Sequence, residues 1–248
     1  MTAIYYLWLR ELKRQVRLKV QIVSSLVQPL VYLLALGYGL SPVFRKSGEG
    51  NYLDFITPGI VTMTLIVSSM YAGGQLIWER QFGFLKEMIV APVPRAVIMV
   101  GRTSGTATAA FAQAMLVLLF STLVGFRPAS LSGLPLAIGF IALIAGVLTA
   151  VGTIIGATVR DTQTHSMIMN LTVNPLFFLS GALFPLEDLP SGLGALTVLD
   201  PLSYGVDGLR GALTSRWHFG QTTDMVVMCG LLVFLTWFGA HKFSRIRL

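Results

Sequence analysis

Six stretches of the chain are continuously apolar for long enough to cross a bilayer: residues 20–40, 58–78, 103–124, 134–159, 167–183 and 225–240. A hydrocarbon core about 30 Å thick takes ~20 helical residues. Unbroken apolar runs, as opposed to short alternating segments, predict a helical bundle and not an outer-membrane barrel. The pattern therefore predicts an all-α integral membrane protein, a single domain over residues 1–248 with six transmembrane helices. Three polar or mixed stretches interrupt the apolar ones. Residues 1–19 precede the first span, 79–102 join the second to the third, and 184–222 lead into the sixth.

Each of these stretches has its own periodicity. Leu9, Leu12, Val16 and Val20 recur at helical spacing, with Arg10, Lys13, Arg14 and Arg17 on the other side. This predicts an amphipathic helix lying in the inner interface. Residues 79–102 are charged and punctuated by Pro92 and Pro94, which predicts a short water-facing helix from Phe82 to Val90, tied at both ends to spans. Residues 184–222 are too polar to cross lipid and too apolar for an ordinary exposed loop. There Asp200-Pro201 reads as a helix start, with Asp as N-cap and Pro at the first helical position. Two short helices folded back on the outer ends of the spans are expected, with Leu193, Leu196, Val198 and Leu199 needing something to pack against.

Within the spans, Pro58 is expected in the first turn of the second. Residues 125–133 are barely a turn, so the third and fourth spans are neighbours. Gly152 and Gly156 form a small-xxx-small pattern that allows close backbone approach, read mainly as packing within one subunit. Asn174-Pro175 predicts a kink in the fifth span, where Pro removes a backbone hydrogen bond.

Composition supports this reading: 54% of residues are hydrophobic and 12% charged, against roughly 25% charged in soluble domains, and mean hydropathy is +0.73. With the N-terminus inside and six spans, thirteen of the 18 Lys and Arg residues fall on inner segments. The outer five are Arg45, Lys46, Arg127, Arg210 and Arg216. That asymmetry follows the positive-inside rule and accounts for the net charge of +7 without nucleic acid. Both termini are expected in the cytoplasm, and the strongly basic first twenty residues do not look like a cleavable signal.

The chemistry that is absent narrows the function. No Asp, Glu, Lys or Arg lies inside a predicted span, which disfavours a proton-coupled pump. No Gly-Lys dipeptide occurs, so the usual phosphate-cradling loop is missing and any ATP would be bound by another polypeptide. Ser180 and His241 fall at opposite membrane faces, too far apart for a protease pair. Three scattered histidines and one cysteine make no metal site. No catalytic, cofactor-binding or metal residue is expected on this chain.

The residues carry a family resemblance. The basic amphipathic N-terminus, six spans, the inner Glu79-Arg80-x-x-Gly83-x-x-Lys86-Glu87 followed by Ala91-Pro92-Val93-Pro94-Arg95, and the outer Asn174-Pro175, Gly181, Phe184-Pro185 and Leu199-Asp200-Pro201-Leu202 resemble the permease subunit of an ABC type 2 exporter. The drug and nodulation-exporter branch is the most similar. The resemblance implies a transmembrane subunit that pairs with a second permease copy or paralogue. It also implies two cytoplasmic ATPase subunits, which carry the ATP and Mg and dock on a coupling helix. The implied coupling residues are Glu79, Arg80, Phe82, Gly83, Lys86, Glu87, Pro92, Pro94 and Arg95. Tyr32, Met63, Tyr71, Asn174, Phe177 and Phe178 are expected along a substrate path, and Pro185, Asp200 and Pro201 at an outer gate. The cargo expected is amphiphilic, lipid-linked or drug-like, and the site of action the inner membrane. The alternative reading is an ion-coupled secondary transporter or channel acting without an ATPase.

Overall fold

The computed structural model describes residues 2–46, 51–82, 93–159, 161–186 and 190–244. Among the described residues there is no strand. The helices are α1 (Thr2–Arg17), α2 (Lys19–Lys46), α3 (Tyr52–Gln81), α4 (Arg95–Val124), α5 (Leu134–Thr158), α6 (Thr162–Leu179), α7 (Ser191–Leu199), α8 (Pro201–Thr214) and α9 (Gln221–Ser244), with a 3₁₀ turn at Leu131–Gly133.

Five of these, α2, α3, α4, α5 and α9, are long and apolar enough to cross a membrane. The fifth expected span corresponds to α6, a shorter helix that carries Asn170 and Asn174 and ends before Ser180. Gly181, at φ 70, then turns the chain into the outer segment. Pro175 lies in the last turns of α6 and not at its middle.

Helix α3 is the axis of the bundle. Its most apolar window is 88% buried, against 22% for α2 and 17% for α9. The α3–α5 crossing is backbone against backbone. A Cβ added at Gly156 would stand 2.4 Å from the carbonyl oxygen of Gly73, and one at Gly152 2.7 Å from that of Ser69. The small-xxx-small pair thus packs within the chain, and the Ser69 and Thr149 hydroxyls meet beside it at 3.2 Å. Three helices share a buried polar knot at Gln113 of α4, whose Oε1 accepts from Ser25 of α2 at 2.9 Å and from Ser68 of α3. Polar side chains in lipid-facing bundles are satisfied by one another in this way.

The helices overrun the apolar stretches that announce them. α2 continues through Pro42 to Lys46, and α3 starts at Tyr52, so Pro58 sits well inside α3 and not in its first turn. The reason is local. Asn51 caps α3, its side chain accepting from the Leu53 amide at 3.4 Å, and Ser41 near the end of α2 holds the same Asn51 oxygen at 3.1 Å. Polar end turns are invisible to hydropathy, but they extend a helix as readily as apolar ones.

The outer segment folds as two helices. Asp200 caps α8, accepting from the Leu202 amide at 2.8 Å, and Pro201 stands at the first helical position. Val206, Leu209 and Leu213 of α8 are fully buried. Gly208 admits the Phe140 ring so closely that a Cβ would meet it at 2.2 Å. α7 behaves differently: Leu193, Leu196, Val198 and Leu199 are exposed on it. The expectation that all four pack against this chain is corrected, because α7 touches the bundle only at its edges while α8 fills the groove between α5 and α9.

Candidate functional site

A cluster of charge sits where α1 crosses the C-terminal end of α3 and the N-terminal part of α4. Glu79, 7% exposed, accepts from Arg14 of α1 and Arg102 of α4 through its two oxygens. Arg10 stands 3.5 Å from the same carboxylate. Arg14 also bonds Glu11 within α1 and Gln75 of α3. Glu11, 2% exposed, in turn receives the Thr106 hydroxyl at 3.5 Å. Two acids and three arginines from three helices therefore compensate one another, as buried charge requires.

The sequence dictates this crossing through small residues. A Cβ at Gly105 would lie 2.5 Å from Glu11 Cβ, and one at Gly101 2.8 Å from Leu7 Cβ, so α1 lies directly on the α4 backbone. Trp8 fixes its rotation, the indole N–H donating to Thr108 Oγ1 at 3.0 Å. Leu76, Ile98 and Met99 form a small buried apolar cluster on α3 and α4, with Leu7 of α1 and Ala240 of α9 packed against it. The face of α1 turned to the protein is thus the Leu7, Glu11, Gln15 side, while Val16 and Val20 of the predicted apolar stripe are exposed.

The coupling residues expected from sequence separate into groups. Glu79 points inward, into the charge cluster. Arg80 is half-buried and donates to the Val159 carbonyl at 3.3 Å, linking α3 to the end of α5. Phe82 is exposed and stacks on Trp78 with ring centres 4.9 Å apart. Pro94 forms the N-terminal boundary of α4 and Arg95 opens it. Gly83, Lys86, Glu87 and Pro92 lie outside the described residues.

The path residues separate as well. Tyr32, Asn174 and Phe178 are exposed on the surface of α2 and α6, whereas Met63 and Phe177 are buried in the main core. Tyr71 is carried by α3, its side chain outside the described ones. At the outer gate, Pro185 is half-buried between α6 and α7, and Asp200 is buried at the α7–α8 junction. Burial pushes the Asp200 carboxyl up to about 6, against the opposing pull of the Leu202 amide and the Ser203 hydroxyl.

Sequence reasoning missed the cluster as a unit. Its signals were Glu11, the lone acid in a basic helix, and Glu79 and Arg102, opposite charges at the two ends of one inner loop.

Residues 2–214 match the family model of the ABC-2 type transporter. The chain belongs to that family. Among similar proteins, the putative transport permease ycf38 of Cyanophora paradoxa is 30% identical over 218 residues, covering 86% of this chain and 73% of that protein. Nodulation protein J of Rhizobium leguminosarum bv. viciae is 24% identical over 223 residues, covering 86% and 82%. The inner membrane transport permease YadH of Escherichia coli is 25% identical over 215 residues, covering 84% and 81%. In this ABC-2 permease the charge cluster lies at the foot of the two helices that flank residues 83–92, where the family resemblance places the coupling helix.

Proposed function

We propose that this ABC-2 permease is the transmembrane subunit of an ATP-driven exporter. It pairs with a second copy or a paralogue and docks two cytoplasmic ATPase subunits through residues 79–95. ATP and Mg are held by those partners, and both termini face the cytoplasm. ATP-driven closure of the ATPases displaces the segment around residues 83–92, and with it α3 and α4. The observation that carries this reading is the Glu79 cluster, which binds the foot of α3 to the foot of α4 and to α1. A push on the loop between them then moves both helices together instead of bending the loop alone. The cargo is an amphiphile taken from the cytoplasm or inner leaflet. Uncharged span interiors and the exposed Tyr32, Asn174 and Phe178 support that class.

The experiment is reconstitution. An affinity-tagged chain expressed in its native host should co-purify with an ABC ATPase. Proteoliposomes holding both should move an amphiphilic dye only with hydrolysable ATP. Movement by the permease alone under an ion gradient would replace this reading with an ion-coupled transporter.

A further inference from the structure

The first turn of α9 carries Asp224, one residue ahead of the sixth span expected from sequence. The fold buries it completely. Asp224 is 0% exposed, and neither of its carboxyl oxygens receives a hydrogen bond from a donor among the described residues. What it faces is a second acid, Asp207 of α8, itself 2% exposed. Two buried acceptors thus meet with no donor between them.

The surroundings hold this arrangement in place. Both oxygens of Asp207 are taken by the turn that joins α8 to α9: the His218 amide donates to each at 2.9 Å and the Phe219 amide to one of them at 2.8 Å. That turn is pinned by Trp217, whose ring would meet a Cβ at Gly211 at 2.1 Å, and by Phe219 against Tyr204 with ring centres 4.7 Å apart. One turn beyond Asp224, Met228 closes on Gly205 of α8.

The ionisable groups of the elements packed on α8 and α9 are engaged elsewhere. α5 and α7 carry none. On α4, Arg102 pairs with Glu79 and Arg95 lies at the same end, and His165 of α6 sits beside Gly73 of α3. Arg210 of α8 donates to the Gly181 carbonyl and lies over the Phe55 ring, Arg216 faces Asp54 of α3, and the His218 side chain is exposed.

We propose that Asp207 and Asp224 hold one proton between them, carried on Asp224, and that this proton is a latch fastening the outer helix α8 to the head of α9. Two carboxylates sharing one dry site do not both ionise. The amides occupy the Asp207 oxygens, so the proton resides on Asp224 and its O–H donates to Asp207, a charge-assisted bond of the strong kind. Losing the proton leaves two like charges side by side, and α8 parts from α9. A divalent cation in the proton's place would call for more oxygen ligands than two carboxylates, and among the described residues no third His, Cys, Asp or Glu joins them. The latch follows from the fold and does not depend on the transport reading; its access from the outer face follows the topology read above.

The test uses the full chain in detergent at pH 7 and pH 9, above the range in which Asp200 titrates. Infrared spectroscopy of the native chain should show a protonated carboxylic acid band at pH 7 that disappears at higher pH. Asp224→Asn should lack this band, and Asp200→Asn should keep it. Hydrogen-exchange protection of amides 202–213, corrected for intrinsic rates, should fall about tenfold from pH 7 to pH 9 in the native chain, as release of one proton requires. Asp224→Asn, whose amide donates to Asp207 without a titrating proton, should hold its protection level across that range. Absence of the band from the native chain at pH 7 would overturn the latch, as would an equal fall in protection in the native chain and Asp224→Asn. Stabilisation of the native chain by added Na⁺ or Ca²⁺ at pH 9, absent from Asp224→Asn, would show a cation in the site and overturn the proton.

Discussion

Arg102, two turns into α4, and Glu79, in the last turn of α3, form a buried ion pair although 22 residues lie between them in sequence, their side chains 7% and 8% exposed. The pair ties the end of α3 to α4, and α1 joins it by adding Arg14 to the same carboxylate.

Removing the acid should cost more than removing the pair. Glu79→Ala leaves Arg102 buried beside Arg10 and Arg14 with Glu11 as the one remaining acid of the cluster. Breaking a buried pair in this way costs about 3–5 kcal/mol. The thermal unfolding midpoint of the detergent-solubilised protein should fall steeply, and Glu79→Ala/Arg102→Ala should recover part of the loss. Equal midpoints for the native and Glu79→Ala proteins would show that the cluster contributes no net stability.

Gly105 tests whether α1 must lie on α4. Gly105→Val places side-chain atoms where Glu11 already stands, and overpacking of this kind costs about 1–3 kcal/mol. The variant should insert normally but expose α1 to limited proteolysis, and Trp8 should lose its bond to Thr108. Unchanged protease resistance would mean that α1 is held from elsewhere.

Asp200 should make the outer segment sensitive to pH. Its folded carboxyl titrates at about 6, whereas an unfolded Asp titrates near ~3.9. Between those values the folded state holds a proton that the unfolded chain has released. Stability therefore falls as pH rises through this window and is level above it, a loss of at most about 3 kcal/mol. Hydrogen-exchange protection of amides 202–213 should be higher at pH 4 than at pH 7. Asp200→Asn, which keeps the cap, should flatten that dependence, and Asp200→Ala should lose about 0.5–2 kcal/mol at either pH. Protection that rises from pH 4 to pH 7 would contradict the sign.

Charge reversal in the inner loop tests coupling separately from folding. Glu87→Lys and Arg95→Glu should abolish transport and cargo-stimulated ATP hydrolysis while membrane insertion and thermal stability stay near native. Transport at normal rates in both variants would remove residues 79–95 from the docking surface.

The helices were legible because an apolar run of membrane length has few alternatives, and the cap at Asp200-Pro201 because its chemistry is local. Helix ends were not. Asn51 caps α3 with help from Ser41, a contact between different helices, so the position of Pro58 in α3 depends on tertiary structure. The family resemblance counts Glu79 among the residues that meet a partner protein, while within this chain its carboxylate already pairs with Arg14 and Arg102. Whether an acid faces outward or pairs inward depends on which helix lies beside it, and Gly101 and Gly105 decide that by admitting α1. Likewise Met63 and Phe177 have the composition of a cargo lining, yet helix rotation turns both into the core.

The bare crossing at Gly73, Gly152 and Gly156 limits how this molecule can move. Where carbonyl meets Cα with no side chain between, no rotamer can change to absorb a displacement, so α3 and α5 translate and tilt as one body or not at all. Under the proposed mechanism, a displacement of α3 would be carried by this crossing to α5 and so toward α8, which packs on it. Any slippage the transport cycle needs must then occur at the looser boundaries, along α2, α6 and α9, where side chains still have room to rearrange.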